Sequence, residues 1–321
     1  MKTRPKVVVV GTTSLDFVAA SDDAPTARTA AGNSGSNIAV RLAALGWDAH
    51  LVALVGEDTL GSLVRADLES WGVDVTGVVS RDGYRTPRVF HVASDSGSHF
   101  LFECPRCHRP RGHTLDLPHP EEISAATWGA IEDADAVVVD IAQPLAIEAA
   151  RRTRAGLVWY EQSLAEASPA QMREMTASAH VVKVSSDDVD HYRPSEQVDG
   201  PHLRLVSRGA DGVEAYCRAD GGWVSSGRKR GPAPRSVVDT IGAGDAFTAH
   251  AVNGMVGGAP RDEWLRDALT AGARACEVVG ARGDMIDSAR AREARVSPVV
   301  AFQCAVCDAE DATALGPSAK G

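Results

Sequence analysis

Six short β-rich runs, residues 7–10, 50–55, 136–139, 157–160, 181–184 and 203–207, recur along the chain, and most of the stretches between them carry helical spacing. Strands separated by a helix lie parallel, because a parallel partner needs a long crossover where an antiparallel one needs only a turn. A parallel sheet in turn needs helices on both faces, which limits the chain to an α/β layered architecture. The intervening segments supply those helices. Ile38, Leu42 and Leu45 recur at helical intervals before Gly46, and residues 60–71 form a second such segment closed by Gly72. At 321 residues, 44% of them hydrophobic, the chain can bury the large core that such a fold requires.

Two regions break the rhythm. Residues 12–30 and about 85–103 hold polar, alternating segments such as Arg88-Val89-Phe90-His91-Val92 and His99-Phe100-Leu101-Phe102. Alternation suits half-exposed antiparallel strands, so a small sheet projecting from the main domain, a candidate lid, is expected there. Residues 212–217 and 223–225, joined by Asp220-Gly221-Gly222, predict a hairpin. Residues 1–307 form the folded domain on this reading, and 308–321, rich in Ala, Gly, Pro and Ser, a disordered tail.

Charge narrows the function. Thirty-three basic against 43 acidic residues give a formal charge of −10, which repels nucleic acid and anionic membranes, so neither is an expected partner. Any anion must be captured by a local device. No run approaches the roughly 20 apolar residues of a membrane span. The apolar run that opens the chain stops at Gly11, too short for a secretory signal, and a cytoplasmic location is expected.

The segment Asp239-Thr240-Ile241-Gly242-Ala243-Gly244-Asp245-Ala246-Phe247 supplies such a device. Val237-Val238 is expected to bring the chain in extended, and residues 246–255 to leave it as a helix. The small residues let the backbone approach a ligand, and the N–H groups of Gly242, Ala243 and Gly244 at a helix N-terminus favour an anion. Asp245 in the first turn cannot bind phosphate, but it can accept a proton from a hydroxyl attacking that phosphate. A bare Gly-x-Gly-Asp also reads as a loop whose acidic residue caps a helix.

The full string matches the DTxGAGD signature of the PfkB, or ribokinase-like, family of carbohydrate and nucleoside kinases, and the resemblance runs over nearly the whole chain. Gly32-Asn33-Ser34-Gly35-Ser36-Asn37 resembles the family's glycine-rich turn that touches substrate hydroxyls, which carries over to Gly32, Asn33 and Asn37. The family often has two successive glycines, whereas here Asn33 follows Gly32. Asp16 matches the family's acidic acceptor of substrate hydroxyls. Ser207-Arg208-Gly209-Ala210-Asp211-Gly212 resembles the nucleotide-side turn, assigning Ser207 and Gly209, with Asp239 and Thr240, to nucleotide contacts. Residues 271–283 resemble the segment beside the adenine and a monovalent-cation (K⁺) site. The family's Asn-x-x-Glu motif is altered, with Ser185 for the amide and Asp188 as the remaining oxygen ligand for Mg²⁺. The resemblance implies a ribokinase-like, Rossmann-like parallel sheet with a β-sheet lid. It implies ATP and Mg²⁺ as cofactors, γ-phosphate transfer to a hydroxyl of a sugar or nucleoside, and homodimers paired through the lid.

Outside the family pattern stand Cys104-Pro105-Arg106-Cys107 and Cys304-Ala305-Val306-Cys307. Two CxxC knuckles suit a structural zinc with four thiolates, provided the C-terminal segment returns to the lid; disulfides, a redox pair or unrelated thiols remain open, and His108 or His113 could replace a thiolate. Arg106, His108, Arg109, Arg111 and His113 could hold a substrate phosphate or simply be solvated, and Arg228-Lys229-Arg230 reads as a solvated turn. The alternatives to a sugar or nucleoside kinase are a phosphosugar kinase that uses the 106–113 cluster and a non-catalytic binding or regulatory protein on the same fold.

Overall fold

The computed structural model describes residues 4–19, 26–94, 97–101, 115–162, 167–188, 199–219, 222–285 and 299–301. The chain begins with β1 (Lys6–Val10), leaves the main layer for β2 (Ser14–Ala19) and β3 (Thr26–Gly32), and returns through α1 (Asn33–Ala44) to β4 (Asp48–Gly56). Helix α2 (Thr59–Ser70) leads to β5 (Asp74–Arg81), after which β6 (Arg88–Ser94) and β7 (Gly97–Leu101) leave the layer again. The strand–helix alternation then resumes with α3 (Ala125–Glu132), β8 (Ala136–Val139), α4 (Pro144–Arg152), β9 (Leu157–Gln162), α5 (Pro169–Ser178), β10 (Val181–Ser185) and β11 (Leu203–Ser207). The hairpin β12 (Val213–Ala219) and β13 (Gly222–Lys229), helices α6 (Ala243–Val256) and α7 (Arg261–Ala275), and β14 (Val299–Ala301) follow.

The larger sheet has nine strands in the order β13-β12-β11-β10-β9-β8-β1-β4-β5. All its pairings from β11 to β5 are parallel, and the β12–β13 hairpin adds an antiparallel edge. Both faces of the central strands are buried, which explains their unbroken apolar runs. Val7 and Val9 share one core with Ile38, Leu42, Leu68, Phe247 and Trp264, whereas Val8 and Val10 share the other with Trp128, Ile131, Leu145 and Met175. The period-two alternation along β1 thus feeds two helical layers. Helix starts follow local chemistry. The Asp58 carboxylate accepts from Gly61 N–H, the Ser124 hydroxyl from Thr127 N–H, and Ser168 forms a capping box with Gln171 behind Pro169.

The excursions form a second, five-stranded sheet in the order β14-β3-β2-β6-β7. Its β2 pairs in parallel with β6, from Leu15 beside Arg88 to Ala19 beside Val92, and antiparallel with β3. The alternating segments therefore do build a small separate sheet, and β14 brings the C-terminal part of the chain back onto it, antiparallel to β3. Cys104, Cys107, Cys304 and Cys307, the basic cluster 106–113 and the tail 308–321 lie outside the described residues. No helix among the described residues is long and apolar enough to cross a membrane.

Three local expectations are corrected. Val237 and Val238 form no strand; both are exposed, and Val238 N–H donates to the Cys276 carbonyl at 2.8 Å. Arg228 and Lys229 belong to the outermost strand β13 and not to a turn, where charge protects an exposed sheet edge. Helix α1 starts at Asn33, five residues before Ile38 opens its apolar spacing. Its first turn packs small and polar residues, with Ser36 Oγ 2.7 Å from Thr13 Oγ1.

Candidate active site

Helix α6 begins with Gly242 as its N-cap at φ 75°, a left-handed conformation that favours glycine. A Cβ there would also stand 2.6 Å from the Ala281 Cα, so both the torsion and the packing select against a side chain. The Ala243 N–H donates to the Thr240 carbonyl at 3.3 Å, whereas those of Gly242 and Gly244 meet no acceptor among the described residues. Gly244 is exposed. Of the three amides expected to receive an anion, Ala243 is engaged, and Gly242 and Gly244 keep free donors at the start of the helix.

Asp245 lies in the first turn and is only 9% exposed. No side chain caps this helix, so Asp245 is not the cap that a bare Gly-x-Gly-Asp allows. Its Oδ2 accepts instead from Asn37 Nδ2 at 2.9 Å, across 208 residues of sequence. The Asn37 Oδ1 is buried without a partner among the described residues, as is the Asn33 Nδ2. Buried polar atoms are nearly always paired, so the orphaned acceptor of Asn37, whose Nδ2 already holds Asp245, marks a place for a hydroxyl-bearing ligand.

Behind the cradle stands Lys183 on β10. Its Nζ lies 3.5 Å from where a Cβ on Gly244 would be, and it pairs with Glu161 on β9. The Glu161 carboxylate also accepts from Thr248 Oγ1 of α6 at 2.6 Å and from Trp159 Nε1 at 3.2 Å. The exposures of Lys183 and Glu161 side chains, 4% and 10%, make this a buried ion pair with its remaining lone pairs satisfied. It fixes an ammonium group under the anion cradle.

Asp140, the residue after β8, is fully enclosed. It accepts from Thr12 N–H at 2.9 and 3.0 Å and from Thr12 Oγ1 at 2.8 Å, and it also takes the Gly35 N–H. Burial pushes its carboxyl up to about 6 against those hydrogen bonds, with the nearby Asp245 charge adding to the rise.

Under the small sheet, a cavity is lined by Asp16, Arg28, Asn37, Trp71, His91 and Arg282, among others. Asp16, 5% exposed, accepts from Ser14 Oγ at 2.5 Å and lies 3.1 Å from His91 Nε2. Gly32 gives that carboxylate its space, since a Cβ on residue 32 would overlap it. Asn33 adopts φ 63°, alone among the described non-glycine residues in having a positive φ. That torsion explains why glycine is usual at the second position of this turn and why asparagine, which tolerates it best, can replace it.

The structure thus brings Asp16, Gly32, Asn33, Asn37, Gly242, Gly244 and Asp245 to one place. Of the residues assigned to the nucleotide, Ser207 ends β11 and Gly209 follows it. Ser185 and Ser207 are register partners at the ends of β10 and β11, and Gly209 turns at φ 52°. Asp239 is buried, and its oxygens accept from Ile241 and Gly280 N–H at 2.9 and 2.7 Å, so here it shapes the loop; Thr240 beside it is exposed. The Asp188 backbone closes a short 3₁₀ turn after β10, and its side chain lies outside the described residues.

Sequence reasoning missed Asp140, the Lys183–Glu161 pair and Arg282. A signal existed for the first three. Ligands of open parallel sheets bind at the carboxyl ends of strands, where Asp140 sits, and charged residues inside wholly buried strands, as Lys183 and Glu161 are, need a reason to be there.

The model of the pfkB family of carbohydrate kinases matches residues 4–288. The chain is 30% identical over 229 residues to an ATP-dependent ribose-1-phosphate kinase of Halopiger xanaduensis, covering 69% of this chain and 72% of that one. It is 27% identical to the aminoimidazole riboside kinase of Salmonella typhimurium, over 77% of this chain and 80% of the relative. The structure of Arabidopsis thaliana ribokinase complexed with ribose and ATP superposes with a TM-score of 0.70 at 22% identity, covering 92% of this chain and all of that one. With the cradle, the carboxylate and the small sheet already in place, the chain belongs to the pfkB carbohydrate kinase family, whose members move the γ-phosphate of ATP to a sugar or nucleoside hydroxyl.

Proposed function

We propose that Asp245 is the general base of this phosphotransferase and that the free amides of Gly242 and Gly244 receive the transferring phosphoryl group. The observation that carries this is the Asn37–Asp245 contact, which joins the helix-terminal carboxylate to a residue lining the acceptor cavity. A hydroxyl donating to Asp245 would sit beside Asn37, whose unsatisfied Oδ1 can orient it. Asp245 takes its proton as the oxygen attacks phosphorus in line. The cradle amides and the buried Lys183 ammonium face the charge spreading over the phosphoryl oxygens from a preorganised position. Mg²⁺, for which Asp188 at the end of β10 is the sequence's choice of ligand, would neutralise phosphate charge. Asp16, held by His91 and Ser14, orients other hydroxyls of the acceptor, and the small sheet over the cavity excludes water.

Asp245→Asn keeps the shape of the side chain and removes the base. The expected result is a loss in kcat of about 100- to 10,000-fold with little change in KM for ATP. Full activity in this variant would sink the mechanism. The same experiment disposes of a non-catalytic role.

Three further elements belong to this reading. The two CxxC pairs support a structural zinc site of four thiolates. The five-stranded sheet, with β7 and β14 as its edges, supports pairing of two chains through the lid. The charge and composition support a cytoplasmic setting.

A further inference from the structure

Two arginines line the cavity beneath the small sheet, and the base-and-cradle mechanism uses neither. Arg28 stands on β3, exposed, with no ion-pair partner among the described residues. Arg282 is only 7% exposed. Its Nη2 donates to the Ala31 carbonyl and to Asp67 Oδ2, the latter at 2.8 Å, while its Nη1 is buried without an acceptor among the described residues. The Trp71 ring lies 5.9 Å from the guanidinium carbon and limits its movement. The acids nearby are already engaged. Asp16 faces His91, and Asp67 takes both Arg282 and the Ala31 N–H, the latter at 2.9 Å.

A neutral sugar does not call for this arrangement. Its hydroxyls are met by Asp16, Asn33 and Asn37, which are short polar groups of both hydrogen-bonding senses. Burying a guanidinium with one donor face unmet is costly in a cavity that only needs to hold hydroxyls. An arginine fork with a second arginine nearby instead matches the oxygens of a phosphate monoester, which accepts several charge-assisted bonds at once. In a chain of formal charge −10, two guanidinium groups lining one cavity are also the local device an anionic ligand would need.

Resting on the kinase reading above, we infer that the acceptor is a phosphorylated sugar, its phosphate seated between Arg28 and Arg282 and its reacting hydroxyl at Asn37 and Asp245. Specificity then comes from charge at the lid end of the cavity. The described part of the lid supplies Arg28, and the segment after α7 supplies Arg282.

The test is the rate of ADP formation by the full chain with Mg-ATP on matched acceptors: ribose against its 1- and 5-phosphates, fructose against its monophosphates, nucleosides against nucleoside monophosphates, and gluconate as a carboxylate control. The expected result is a kcat/KM for a phosphorylated sugar at least about 100-fold above that of its neutral parent, because an arginine site left without its anion rejects the analogue that lacks it. In Arg28→Gln and in Arg282→Lys this ratio falls by about 10-fold or more, with melting curves confirming that each variant is folded. Arg28 is exposed, so its variant folds even if Arg282 proves necessary for stability. Neutral sugars or nucleosides turned over as well as their phosphates, gluconate preferred over both, or a ratio that neither substitution moves, overturns the inference. If that turnover still depends on Asp245, the kinase reading stands alone; no turnover of any acceptor removes both.

Discussion

Gly32→Ala tests the packing of the acceptor site on steric grounds alone. Gly32 has φ −126° and ψ −164°, a conformation alanine adopts freely, so no backbone strain enters. A Cβ built there stands 1.9 Å from the Asp16 Cγ and Oδ2 and 2.0 Å from its Oδ1. Non-bonded carbon contacts need about 3.5 Å, so the carboxylate must retreat by roughly 1.5 Å. Its backbone cannot follow, because Asp16 is paired with Ala30 on one side and Val89 on the other. The side chain must rotate away from Ser14 and His91, which hold it at 2.5 and 3.1 Å. Overpacking of about 1–3 kcal/mol and a weakened buried hydrogen bond of about 1 kcal/mol give a loss of about 2–4 kcal/mol. For a chain of 321 residues that is a drop in Tm of about 3–6 °C. Misplacement by more than 1 Å of a group that orients the acceptor costs about 100-fold in kcat/KM. The assay is a double-mutant cycle with Asp16→Ala, followed by thermal melting and by acceptor kinetics. In the Asp16→Ala background the clashing atoms are gone, and Gly32→Ala should cost less than about 1 kcal/mol. An equal penalty in both backgrounds, or full kcat/KM in the single variant, would refute the reasoning.

Other substitutions probe the buried polar groups around the site. Lys183→Met leaves the Glu161 charge unpaired and should cost about 3–5 kcal/mol, whereas Lys183→Met with Glu161→Gln regains most of that stability. Both should raise KM for ATP about 10-fold or more, and a double variant that binds ATP like the parent refutes the role of the ammonium. The Asp140 carboxyl, raised by burial from 3.8 to about 6, binds its proton more tightly folded than unfolded. Stability from this group is therefore greatest below pH 4 and falls by about 3 kcal/mol as pH rises to about 6. Urea midpoints at pH 4.5 and 7 should show that decline in the parent relative to Asp140→Asn, and identical pH dependence in both contradicts it. Asn33→Gly separates torsion from chemistry. If φ 63° alone selects the residue, glycine matches it; if the unpaired Nδ2 serves the acceptor, the variant stays stable and acceptor KM rises, as we expect.

The main sheet was legible because each central strand is buried on both faces and so must be continuously apolar, as Val7–Val10 is. The small sheet was legible for the opposite reason, since half-exposed strands alternate. The glycine-lined turn ahead of α6 could be read from Gly242 and Gly244 because local backbone geometry dictates it, whereas the Thr240 carbonyl that takes the Ala243 N–H could not. What stayed hidden depends on contacts between distant segments. Nothing near Asp140 in sequence reveals that Thr12 and Gly35 donate to it, and nothing near Arg282 points to Asp67 or to the lid residue Ala31. The start of α1 escaped the hydrophobic period because its first turn is packed through glycine, serine and asparagine.

That first turn explains how the two sheets come to share one site. The strand β3 passes into α1 with no loop, Gly32 serving at once as the last strand residue and the helix N-cap, and Asn33 making the reversal in a left-handed conformation. Each residue that follows has one fixed neighbour. Gly35 lies against the Thr12 backbone, where a Cβ would come within 2.6 Å of the Thr12 carbonyl oxygen; Ser36 bonds Thr13; Asn37 bonds Asp245. One helical turn therefore carries the small sheet, the loop after β1 and the Asp245 carboxylate in a single rigid register. A displacement of β3 cannot leave the distance from Asn37 to Asp245 unchanged without breaking helix α1 at its first turn. Small residues occupy this turn because three backbones and a carboxylate converge on it, and larger side chains would force them apart.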